Sequence, residues 1–131
     1  VFKEIDKKIK EFVFSDYCIE SMSVDKDAKC ILVKIDGALL VINDTYHEYE
    51  EVQIKIFNWD KICISLYENE EKKWVEIQNT DIDTLEEINE IEENGNLILR
   101  GFGAKTGKWL EYVIEKPMVK IFANQNRDLD K

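Results

Sequence analysis

The chain has 131 residues, 44% apolar and 35% charged, with a formal net charge of −10. That length predicts a single domain over 1–131 with its own core, and the apolar content excludes a disordered chain. The longest apolar run, Ala38–Ile42, is five residues and far too short to span a membrane, while the acid excess disfavours direct binding to nucleic acid, since phosphates call for the opposite sign.

In chain order, Ile5, Ile9, Phe12 and Val13 recur at helical spacing on a Lys/Glu-rich background, predicting a short amphipathic N-terminal helix. Val1–Ser15 is charged throughout, unlike a secretory signal. A strand is predicted over Tyr17–Val24, closed by Asp25-Lys26-Asp27, and a second over Lys29–Asn43. Asp36-Gly37 interrupts the second, as a bulge, a bend or a crossing between sheets. Asn43–Glu50 reads as a loop by composition. Val52, Ile54 and Ile56 alternate with Gln53, Lys55 and Phe57 as a half-buried strand does. Asn58-Trp59-Asp60 then reads as a tight turn into Ile62, Ile64 and Leu66, which predicts a hairpin. Asn69–Lys73 is a further turn before a short strand at Trp74–Ile77.

Asp83 with Glu86 fits a capping box, acids fill the following turn, and Leu85, Ile88 and Ile91 form one apolar stripe. A helix is therefore predicted over Asp83–Asn94, stopped by Asn94-Gly95-Asn96. The strongest pattern follows it. Leu97–Gly103 and Trp109–Lys116 flank a five-residue turn, Ala104–Lys108, as a hairpin does. Trp109, Glu111, Val113 and Glu115 take one face of the second strand; Leu110, Tyr112, Ile114 and Lys116 take the other. Pro117 ends that strand before Met118–Ala123, and this three-strand unit reads as the frame for the rest. The expected fold is mainly β (α+β). It is an antiparallel curled sheet or two-sheet sandwich of about seven strands, with one amphipathic helix packed on it and a short N-terminal helix.

Signals for chemistry are sparse. The single histidine, His47, lies in the Tyr/Glu-rich loop, and no HExxH, GxSxG, phosphate-loop or CxxC pattern occurs. Gly101-Phe102-Gly103 precedes a turn rather than a helix, so its glycines read as close strand packing rather than a dinucleotide fingerprint. Asp25-Lys26-Asp27 is too short for a calcium loop. Cys18, Cys30 and Cys63 lack metal-ligand spacing and read as buried free thiols in a reducing cytoplasm. Among 28 acids, chance carboxylate pairs carry little weight. The expectation is a protein that is not an enzyme and uses no metal or cofactor.

Residues 44–93 hold 16 of the 28 acids and only 4 of the 18 bases, so the middle of the chain carries the whole negative excess. A solvated, solubility-giving surface accounts for such a run; so does a field that steers a basic partner. Tyr46 and Tyr49 share their loop with Glu48, Glu50 and Glu51, and Trp59 sits at a turn tip, as aromatic anchors among charges do at interfaces. Equally, Trp59 and Trp74 can fold back onto the core.

Three stretches resemble small bacterial immunity proteins of polymorphic-toxin and contact-dependent inhibition systems. They are Phe14-Ser15-Asp16-Tyr17-Cys18-Ile19-Glu20-Ser21-Met22, Val33-Lys34-Ile35-Asp36-Gly37-Ala38-Leu39-Leu40, and Gly101-Phe102-Gly103 with Trp109-Leu110-Glu111-Tyr112-Val113-Ile114. The resemblance implies a cytoplasmic protein that binds and blocks one cognate toxin domain without chemistry of its own. A basic nuclease domain would suit the charge. The partner-binding residues expected on that reading are Tyr46, Glu48, Tyr49, Glu50, Glu51, Trp59, Glu68, Glu70, Glu71, Glu86 and Glu90. Three alternatives stay open: a small-ligand or carbohydrate-binding β module with Trp59, Trp74 or Trp109 as platform, an enzyme using a carboxylate pair, and pairing through an exposed edge strand.

Overall fold

The computed structural model describes residues 2–78 and 82–124. Over those residues the chain runs β1 (Phe2–Ile5), a 3-10 turn (Ile9–Glu11), β2 (Phe12–Val13), β3 (Ile19–Asp25), β4 (Cys30–Ile35), β5 (Ala38–Ile42) and β6 (Thr45–Tyr49). It continues through β7 (Val52–Phe57), β8 (Lys61–Glu68), β9 (Lys73–Glu76), β10 (Glu90–Glu93), β11 (Asn96–Phe102), β12 (Trp109–Glu115) and β13 (Met118–Asn124). These build three antiparallel sheets, ordered β1-β13-β7-β4-β3, β10-β11-β12-β8-β9 and β2-β5-β6. The fold is mainly β, as expected, but with thirteen strands in three sheets rather than about seven in one or two.

The frame is a two-stranded ribbon folded once. β7 pairs with β13 from Val52↔Ala123 to Phe57↔Met118, and β8 pairs with β12 from Lys61↔Glu115 to Leu66↔Leu110. Between these ladders three residues, Asn58-Trp59-Asp60, oppose two, Lys116-Pro117. The extra residue bends the ribbon, as a bulge does at a sheet corner. Asn58 and Lys116 take the turn at φ 54° and 50°, and the Asp60 N–H donates to the Glu115 carbonyl at 2.9 Å. Pro117 has no N–H to leave unpaired there. Trp59, 3% exposed, joins the core. So β7 and β8 are not hairpin partners, and β13 does not extend the β11–β12 hairpin. Turn residues at 58–60 serve a corner as well as a hairpin, and local sequence does not separate the two.

Each half of the ribbon lies inside one five-stranded sheet, and both inner faces enter a single core. Ile31, Val33, Ile54, Ile56 and Ile121 come from the first sheet, Ile64, Leu97, Leu99, Leu110, Tyr112 and Ile114 from the second, and Phe12, Ala38 and Leu40 from the third. Burying side chains of this size stabilises by about 1.5–3 kcal/mol each before entropy is counted. The crossing anticipated at Asp36-Gly37 is present, since β4 belongs to the first sheet and β5 to the third. Asp36 and Cys18 exchange two hydrogen bonds there, at 2.8 and 3.0 Å. Gly37 lies so close to the Tyr17 ring that an added Cβ would sit 2.6 Å from it.

Neither expected helix forms. At the N-terminus, pairing with β13 draws Phe2–Ile5 into β1, and only the 3-10 turn remains helical. Residues 83–94 run as an irregular, non-helical segment into β10. Leu85 bridges to Gly103, the Glu86 N–H donates to the Phe102 carbonyl and the Asn89 N–H to that of Arg100, both at 2.9 Å, and β10 continues the same edge. Gly101 and Gly103 permit this, because a Cβ at either would run into the Glu87 carbonyl or the Asp83 carboxylate. Asp83 caps no helix. It is 1% exposed and accepts from the Lys105 N–H at 2.9 Å, the Thr106 N–H at 3.0 Å and the Thr106 hydroxyl at 2.6 Å, latching the β11–β12 turn. The Tyr112 hydroxyl donates to the Asp83 carbonyl, and burial, aided by the Asp83 charge, raises the Tyr112 pKa. The composition-defined loop at 43–50 contains β6, paired with β5. The cysteines are free, but Cys18 is exposed and Cys30 and Cys63 are half-buried rather than core thiols.

Asp83→Ala strands the latch donors and should lower the unfolding free energy by about 3 kcal/mol in a urea titration. Gly103→Ala should cost about 1–3 kcal/mol through the clash. Losses below about 0.5 kcal/mol in both would mean the β11–β12 turn and its neighbouring segment are held by other contacts. Tyr17 offers a pH handle. Burial, then its hydrogen bond to Glu48 at 2.7 Å, raises its pKa to about 12 from 10.0. The neutral phenol is thus favoured by the folded state, and its contribution, intact below pH 10, is lost as pH rises through 12. Tyr17→Phe should show a smaller fall in Tm across that window than the parent chain.

Candidate functional site

Strand alternation sends every second residue of the second sheet outward, and the register aligns those residues in rows. One row is aromatic. Phe102 pairs with Trp109, Tyr67 pairs with Trp74, and one step beyond the Leu110↔Leu66 pair Trp109 and Tyr67 are neighbours. Phe102, Trp109, Tyr67 and Trp74 therefore cross four consecutive strands on the outer face. Trp74 is 46% and Phe102 49% exposed, and neither belongs to the core. Phe102 and Trp109 meet edge to face at 4.9 Å and 72°, Tyr67 and Trp74 at 5.4 Å and 69°.

The adjoining row is ionic: Glu90, Arg100, Glu111, Ser65 and Glu76. Arg100 holds Glu111 through Nε at 2.9 Å and Glu90 through Nη1 at 3.3 Å, and also bonds Glu92. The Glu92 hydrogen bond leads in raising the Arg100 pKa, so the guanidinium stays charged. Three carboxylates around one cation leave a local excess of negative charge. Glu76 meets the Cys63 thiol at 3.4 Å, and one residue beyond the Trp109–Tyr67 neighbours Lys108 bonds Glu68 at 2.7 Å. On the first sheet's outer face lysines outnumber acids, with Glu4 and Asp25 on its two edge strands. Lys55 and Lys120 stand directly opposite one another, Lys34 lies one strand away, and Leu32 and Met118 are exposed among them.

The acids singled out in the sequence do not form one patch. Tyr46, Glu48 and Tyr49 lie on β6 in the third sheet, followed by exposed Glu50 and Glu51. Tyr46 is 52% exposed, but Tyr49 packs against the core, and Glu48 accepts from Tyr17. His47, also on β6, stands opposite Leu40 of β5. Glu68 closes β8, with Glu70 and Glu71 in the next turn, where Glu71 meets Lys73 at 2.9 Å. Glu90 is on the far edge strand of that sheet, four strand spacings from β9, or about 19 Å. Glu86 is exposed at the seam where its carbonyl accepts from the Ile19 N–H of the first sheet. Trp59 is a core residue rather than an exposed anchor, and Trp74 takes the exposed position instead.

Phe102, Tyr67, Glu76, Glu92 and Glu111 are not among the residues expected to bind a partner, and Trp109 is expected only as a platform of the alternative ligand module. Their signal was present, since alternation already placed Trp109 and Glu111 on one face; what the sequence lacked was the pairing of β12 with β8. Among the described residues no group of three metal-ligating side chains converges, and no helix is long and apolar enough to cross a membrane. A cleft of about 520 Å³ is lined by Lys7, Lys8, Lys10, Glu93 and Pro117 among others, with no aromatic side chain in its wall. Compared with protein-family models, with curated proteins and with solved structures, the chain matches none.

The exposed row should be dispensable for folding. Trp74→Ala and Phe102→Ala should each cost about 1 kcal/mol or less, whereas Trp59→Ala should cost about 3–5 kcal/mol. Equal losses at Trp59 and Trp74 in urea denaturation would make the row a structural element.

Proposed function

We propose that the chain is an acidic, immunity-type protein that binds a basic partner, a toxin domain such as a nuclease, and covers its active surface. The observation carrying this reading is the aromatic row set beside carboxylates on the outer face of the second sheet. Exposed aromatics supply contact energy at little conformational cost, and flanking charges set the approach and the choice of partner. With a net charge of −10, encounter with a cationic surface is accelerated by a factor on the order of 10 to 10³ at low salt. The resemblance of 14–22, 33–40 and 101–114 to immunity proteins points the same way. The site expected from sequence shifts accordingly: Glu68, Glu70, Glu71 and Glu90 become the rim of this face, while β6 lies on another sheet.

A sugar-binding module is the second reading, favoured by the exposed Trp74 and Phe102. Ring planes inclined by 69° and 72° do not offer the shared plane on which a chain of sugars stacks.

Capture from the native host with mass-spectrometric identification should return a basic protein. Trp74→Ala with Trp109→Ala should weaken that complex at least tenfold, and Glu70→Lys with Glu71→Lys should slow association and flatten its salt dependence. An acidic partner, or a complex indifferent to all four substitutions, rejects the reading.

A further inference from the structure

We infer that the outer face of the second sheet selects arginine over lysine side chains on its partner, with Trp74 and Glu76 forming the seat for a guanidinium. This rests on the reading above that the face docks a basic protein. The pattern occurs twice: Trp74-Val75-Glu76 on β9 and Trp109-Leu110-Glu111 on β12 each place an indole and a carboxylate two residues apart on the same outward face. Along a strand that spacing is about 6.6 Å, so a planar cation lying on the indole can also reach the carboxylate.

The two seats differ in what already fills them. Glu111 is taken by Arg100, whose guanidinium lies between the carboxylates of Glu90, Glu92 and Glu111, an internal example of what this face holds. Glu76 is exposed and, among the described residues, meets only the weakly bonding Cys63 thiol, at 3.4 Å. Trp74 is 46% exposed, and its edge-to-face contact with Tyr67 occupies at most one face of its ring. A guanidinium stacks flat on an indole while its forked N–H groups bond a carboxylate; an ammonium, a compact hydrated point charge, satisfies one of these at a time. The selectivity follows from that difference in shape, since both cations carry one charge.

Two peptides of equal length and charge, acetyl-(Gly-Arg)4-amide and acetyl-(Gly-Lys)4-amide, test this on the whole ¹⁵N-labelled chain. The three indole N–H signals are assigned by Trp→Phe variants. The Trp74 signal should shift saturably with both peptides, with at least about threefold tighter binding of the arginine peptide. Trp59, at 3% exposure, should stay put and serve as the internal control. Glu76→Gln should abolish the preference while leaving the Trp59 signal, and so the fold, unchanged. Equal affinities for the two peptides, a stationary Trp74 signal, or a preference that survives Glu76→Gln would each overturn the inference. The outcome is separable from the toxin reading. A captured basic partner with no arginine preference sinks only the inference, and a preference with no such partner sinks only the proposed function.

Discussion

A single surplus residue governs this molecule. Three residues facing two at the corner of the β7–β8/β12–β13 ribbon turn one long antiparallel pair into the cores of two sheets. Without that mismatch the ladder would run straight on, and its apolar side would need some other cover along its full length. With it, the same side of the ribbon meets itself, and Trp59 occupies the inside of the fold. Six further strands extend this frame: β4, β3 and β1 complete one sheet, and β9, β11 and β10 the other, while β2, β5 and β6 form the third sheet. The outward rows exist only because the corner fixes which residues face inward.

The Asp83 carboxylate plays a second, more local part. A buried charge is tolerable only where donors surround it, and here two backbone N–H groups and one hydroxyl do so. Those donors belong to the turn between β11 and β12, so the connection leading to β10 and the hairpin that comes after it are fastened at one point. Gly103 makes room for the carboxylate and Gly101 for the passing backbone. The hairpin and its neighbouring edge therefore depend on residues that carry no side chain at all.

The two-residue period was the most readable part of the sequence. It located Val52–Phe57, the Leu97–Lys116 hairpin and Met118–Ala123, and the glycine at 37 flagged the crossing between sheets. Periodicity at 83–94 misled because Leu85, Ile88 and Ile91 suit one side of a helix and also an irregular extended segment whose apolar residues turn to the core. Asp83 and Glu86 look like a cap, yet Asp83 finds its donors 22 and 23 residues away. Pairing partners were out of reach for the same reason, since a turn and a corner use the same residues. The candidate face followed that limit: Trp109 and Glu111 could be put on one side of a strand, but Tyr67, Trp74 and Glu76 join them only through the ladders to β8 and β9.

Lys34, Lys55 and Lys120 outnumber Glu4 and Asp25 on one outer face while Glu76, Glu90, Glu92 and Glu111 outnumber Arg100 on the other, so the molecule is electrically polar across its thickness as well as anionic overall. In the field of a cationic body such an object feels a torque in addition to a pull. It rotates while still separated by solvent, presenting its tryptophans first, and salt that shortens the Debye length removes the rotation along with the attraction.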